Sequence, residues 1–117
     1  MGRAQAYDAA KGFDEWEPVV RITVMIIGVV TASIAIPESR SLKDKRSVLR
    51  ALKDRAVNKM NVSVAEVGEQ DAWKSAEMAF VTVAADSLIV QSRISELSTV
   101  LRSNPRYVLI DLHTEML

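Results

Sequence analysis

The chain has 117 residues, with 15 basic and 15 acidic side chains, one His and no Cys. That length fits one domain, which buries roughly two thirds of the surface its unfolded chain would expose, so no covalent staple is needed. The lack of Cys removes disulfides, thiolate metal sites and a Cys nucleophile, and it agrees with a reducing, cytoplasmic setting. A single imidazole, His113, excludes His-rich zinc centres.

Residues 1–24 show no sustained period and are read as an N-terminal tail, loosely packed or flexible, with Phe13 and Trp16 as its docking-capable side chains. A secretory leader would put an apolar stretch directly after a basic start, whereas Asp14, Glu15 and Glu17 interrupt this segment. The domain is expected over 25–117. Its first apolar run, Val24 to Ile36, has 13 residues, short of the about 20 a membrane span requires, and its β-branched content suits a strand closed by Pro37. No membrane partner is expected.

Ser41 followed three residues later by Asp44 resembles a capping box, and Leu42, Leu49, Leu52, Ala56 and Met60 recur at helical spacing, which predicts a helix over 42–59. "NVSVAEVG" alternates and ends at Gly68, and "SAEMAFVTVAAD" is a longer Val-rich run, so two strands are expected, joined through "GEQDAWK". Asp86 caps a second helix whose stripe is Val90, Ile94, Leu97 and Leu101, and which stops at Ser103–Pro105. The last strand is "RYVLIDLHTEM", with Val108, Ile110 and Leu112 expected toward the helices and Tyr107, Leu109, Asp111 and His113 outward. Strand, helix, strand, strand, helix, strand is the ferredoxin-like α+β arrangement, βαββαβ: a four-stranded antiparallel sheet with two helices on one face.

"MIIGVV", "IPESRSLKDKRSVLRALKDR", "NVSVAEV" and "QDAWKSAEMA", in that order, resemble the bacterial YlxP-like family of small uncharacterised proteins, across 25–117. The resemblance implies a ferredoxin-like fold and no assigned activity. It also implies a gene neighbourhood of translation initiation and ribosome-binding factor A, an association rather than a mechanism.

Between Arg40 and Lys59 eight basic residues face two acidic ones, Asp44 and Asp54, while residues 61–117 hold four basic and eight acidic. This polarity makes one surface attractive to phosphates without making the protein basic overall. Arg46, Arg50 and Lys53 fall on one side of the helical stripe and Arg55 and Lys59 on the other, a pattern that any solvated helix also shows. The nucleic-acid-binding candidates are Lys43, Lys45, Arg46, Arg50, Lys53 and Trp73. Lys45 stands apart because it falls on the apolar stripe itself. A corner cluster of Lys45, Glu66, Asp71, Trp73 and Glu77 is expected, with Lys45 paired to Glu66 or Glu77 and Trp73 as a lid or stacking plate.

Catalysis finds little purchase. Neutralisation by Lys45 opposes the raised pKa that Glu66 or Glu77 would need as a general acid, "IPESRS" lacks the glycines of an acylphosphatase phosphate loop, and the central strands lack the aromatics with which an RRM stacks bases, Phe80 excepted. No catalytic residue, metal or cofactor is assigned. The leading expectation is a non-enzymatic binding protein acting near ribosomal RNA or ribosomal protein. The alternative is a homo-oligomeric or small-molecule-sensing module whose open sheet face is its interface; with Leu109, Tyr107, Val29 and Val81 outward, self-association through that face or along an edge strand is expected in either case.

Overall fold

The computed structural model describes residues 24–117 and, before them, only the two-residue strands Gln5–Ala6 and Glu17–Pro18, which pair antiparallel. The expectation of a loose tail therefore falls, for most of its length, outside the described residues. The main sheet is built from β1 (Ile26–Ala35), β2 (Ser63–Gly68), β3 (Ser75–Ala84) and β4 (Val108–Met116), with α1 (Leu42–Lys59) and α2 (Ser87–Arg102) as crossovers. Strand order is β2-β3-β1-β4 and every pair is antiparallel. This is the ferredoxin-like α+β fold, with both helices on one face.

Alternation decides which side chains that face receives. Gly28, Val30, Ala32 and Ile34 of β1, with Ala76, Met78 and Phe80 of β3, are buried under the helices. They meet Val48, Leu49, Leu52 and Ala56 of α1 and Val90, Leu97, Val100 and Leu101 of α2. At Gly28 α2 packs closely: a Cβ there would lie 2.6 Å from Val90 Cγ1. The one polar side chain buried on β3, Thr82, is satisfied, donating to the Asn61 carbonyl at 2.7 Å and accepting from Arg93 at 2.8 Å. Both helices start where the caps put them. The Asp44 N–H donates to Ser41 Oγ at 3.0 Å while the Arg40 N–H donates to Asp44 Oδ2 at 2.9 Å, and the Leu88 N–H donates to Asp86 Oδ1 at 2.8 Å.

The last strand departs from the expected alternation. Ser33 pairs with Asp111 but Ile34 pairs with Leu109, so Ile110 is an extra residue that reverses the parity below it. Leu112 does pack against the core, but so do Leu109 and the buried Tyr107, whereas Val108 and Ile110 are exposed. The open face therefore carries Val108 and Ile110 in place of Leu109 and Tyr107, alongside Val29, Val81 and Val83. β2 has a similar irregularity one residue pair away, with Val67 as the extra residue between Glu66 and Gly68.

Candidate nucleic-acid interface

The buried stripe of α1 begins with a cation. Lys45 precedes Val48, Leu49, Leu52 and Ala56 on one helical face and is 1% exposed. Its methylenes pack with that stripe, and its ammonium reaches the turn between β2 and β3. Nζ donates to the main-chain carbonyls of Glu69 at 2.8 Å, Ser75 at 3.2 Å and Gln70 at 3.4 Å, and lies 2.7 Å from Glu66 Oε2. An ammonium has three N–H donors, and the three carbonyls take them. The Glu66 contact is accordingly an ion contact rather than a fourth directed hydrogen bond. Desolvating a lone ammonium costs several kcal/mol, and this cage of four oxygens offsets that cost.

The corner forms without three of its expected members. Glu77 pairs with Ser33 across the sheet and projects from the open face, whereas Glu66 pairs with Met78 on the helix face. Alternation thus puts the two carboxylates on opposite sides, and only Glu66 meets Lys45. Asp71 is exposed on the turn and is not among the oxygens around Lys45. Trp73 is 53% exposed and so is no lid. It follows a tight turn in which the Ala72 N–H donates to the Glu69 carbonyl at 3.0 Å, with Glu69 in the left-handed region at φ 61°. It precedes Lys74, whose carbonyl accepts from the Ile36 N–H at 2.7 Å.

Lys45 is also corrected as a phosphate ligand, because it is sealed inside. The other four basic candidates, Lys43, Arg46, Arg50 and Lys53, are all exposed and succeed one another by three, four and three residues, which keeps them on one flank of α1 over about 15 Å of helix. Arg46, Arg50 and Lys53 line a groove of about 300 Å³ between α1 and the edge strand β2, over an apolar floor that includes Leu49, Val64 and Met78. Among the described residues Glu66 is the one carboxylate in that lining, and Lys45 neutralises it from within. The groove is therefore net positive. Across α1 the environment differs: burial pushes the Tyr107 hydroxyl above its usual pKa, an effect the nearby Arg55 charge partly opposes.

The open sheet face has the contrary character. Glu77, Asp111 and Glu115 lie on it in register with Ser33 and Val29, together with His113, and none of the described strand residues on that face is Lys or Arg. Phe80, the aromatic that sequence reading left available for stacking, is buried under the helices. The oxygens of Glu69, Gln70 and Ser75 that complete the Lys45 cage have no sequence signature, since any residue supplies a carbonyl.

A ferredoxin-like domain with a basic helix flank is a description of class. The family follows from comparison. A family model described as a protein of unknown function, DUF503, matches residues 27–114, and the chain belongs to that family. It is also 30% identical over 80 residues to the uncharacterised protein YlxP of Bacillus subtilis (strain 168), an alignment covering 68% of this chain and 87% of the relative. Among the described residues no helix is long and apolar enough to cross a membrane.

Proposed function

We propose that this is a non-enzymatic binding protein that takes the phosphate backbone of RNA, and ribosomal RNA in particular, along the exposed flank of α1. The alignment of Lys43, Arg46, Arg50 and Lys53 beside a groove whose one carboxylate among the described residues is neutralised internally carries the reading. Cations spaced along one helix flank suit a chain of phosphates, which position a protein without specifying sequence. The half-exposed Trp73, on a turn tied to the first turns of α1 through Lys45, offers a stacking plate for a base. RNA contact through the open sheet is disfavoured by its carboxylates and by the burial of Phe80. The choice of ribosomal RNA is supported by the gene neighbourhood that the family resemblance implies. A cytoplasmic location accords with such a partner.

Co-sedimentation with ribosomal particles, and binding to protein-free ribosomal RNA, test this over a salt series. Steep, log-linear weakening with salt on both is expected. Salt-sensitive binding to particles with none to protein-free RNA would overturn the RNA reading and point to an acidic protein surface.

A second reading, self-association through the open sheet, is favoured by the exposure of Val81, Val83, Val108 and Ile110. Glu77, Asp111 and Glu115 on the same face oppose it, since a two-fold contact would set like charges against each other. A mass measurement giving only monomer at high concentration would remove it.

A further inference from the structure

The cage around Lys45 has a second consequence, which rests on the proposed RNA reading only for its binding arm. We infer that Lys45 is a positioning residue: it docks the turn that carries Trp73 onto α1, so that the aromatic plate and the basic row form one recognition surface. Each of its partners belongs to the segment that must be placed. Glu69 and Gln70 stand at the start of the turn, Ser75 opens β3 just after Trp73, and Glu66 closes the regular part of β2. One ammonium therefore ties both ends of the turn to the helix at a single point, in the same first turns that present Lys43 and Arg46.

Among the described residues few other hydrogen bonds hold the turn. The Gln70 side-chain amide donates to the Glu66 carbonyl at 3.3 Å and the Lys74 carbonyl is held by Ile36. Neither of these reaches α1. The left-handed conformation of Glu69, which a glutamate adopts only at a cost, aims its carbonyl at both the Ala72 N–H and Lys45. Without the ammonium, that conformation and the three inward carbonyls lose their shared partner, and the turn is free to move relative to the basic row.

The test uses the full chain with Trp16→Phe, so that Trp73 is the sole indole. Acrylamide quenching reports its exposure and mobility, and far-ultraviolet circular dichroism verifies folding. Lys45→Met keeps the length and apolar packing of the side chain but removes the charge and donors. Its quenching constant is expected to rise clearly, and Glu66→Gln, which removes only the ion contact, is expected to raise it less. In the binding arm, with protein-free ribosomal RNA as probe, Lys45→Met and Trp73→Ala (the latter in the native Trp16 background) should each weaken affinity about tenfold, within the range a stacked base contributes. Each should leave the salt slope unchanged, and the double variant should be no weaker than either single one. Unchanged quenching in folded Lys45→Met overturns the inference; if that variant does not fold, unchanged quenching in Glu66→Gln overturns it. Losses that multiply in the double variant also overturn it. Should the parent bind no RNA, the RNA reading fails while quenching still decides the role of Lys45.

Discussion

The two helices do the same structural work and are charged very differently. Each crosses over one face of the sheet and buries a stripe of aliphatic side chains there. Yet α1 carries seven basic and two acidic residues in 18, whereas α2 carries only Arg93, Arg102 and Glu96 in 16. Arg93, moreover, is spent on structure, donating to Thr82 and to the Val83 carbonyl at 3.0 Å. A crossover helix on this sheet therefore needs hardly any cations for folding. On α1 one cation, Lys45, is structural, and the exposed row beside it is surplus to packing. That surplus is what a partner rich in phosphate would use.

The sharpest break in the comparison is at the buried cation. Lys45→Met should destabilise the domain by about 3 kcal/mol, the low end for breaking a buried pair because the Glu66 side chain keeps 22% of its exposure. Urea unfolding would measure it, and a loss within about 0.5 kcal/mol, the range of ordinary surface changes, would show the cage to be dispensable. Under the other helix, Gly28→Ala on β1 drives a methyl into Val90 and should cost about 1–3 kcal/mol by overpacking; an unchanged denaturation midpoint would mean that α2 moves away freely.

Tyr107 gives a smaller and pH-dependent effect. Its hydroxyl is buried without a hydrogen-bond partner among the described residues, so Tyr107→Phe should be neutral or stabilising by about 1 kcal/mol. Because burial raises its pKa in the fold, the unfolded chain ionises first as pH climbs through about 10. The folded form then holds the extra proton, so the tyrosine's contribution to stability is intact below that pH and falls above it, until the raised folded pKa is passed. Paired unfolding curves on either side of pH 10 should show this loss in the parent and its absence in Tyr107→Phe. Smallest of all, Arg46, Arg50 and Lys53 changed together to Gln should shift stability by no more than about 0.5 kcal/mol, as for surface positions flanking a stripe.

The bounds of α1 were legible because caps and breakers are local: Pro37, Ser41 and Asp44 fix its start, and the apolar period carries it to Lys59. The face of Val108 and Ile110 was not legible, since the bulge that reverses their parity leaves no mark in a run of consecutive apolar residues. Glu77 is a different case. It shares parity with Val81, which reads as outward, so its place on the open face was available in the strand's own alternation. Lys45 announced itself as a cation on an apolar stripe and found its carboxylate, but the carbonyls that make up most of its cage are main-chain groups that sequence does not distinguish. The exposed basic row could be counted, while the groove beside it depends on β2 being an edge strand, a fact of topology.

The central claim is that the exposed flank of α1 meets phosphate, and affinity for ribosomal RNA measured across a salt series from about 50 to 200 mM tests it directly. The parent should weaken steeply and log-linearly. The Arg46, Arg50 and Lys53 triple Gln variant should flatten the slope by about two to three units, at roughly 0.7 to 0.9 per lost contact, while Arg102→Gln on α2 leaves it unchanged. A parent with no salt-dependent association, or a triple variant that binds as tightly and as steeply as the parent, would contradict the account and make the basic flank of α1 a solvated surface.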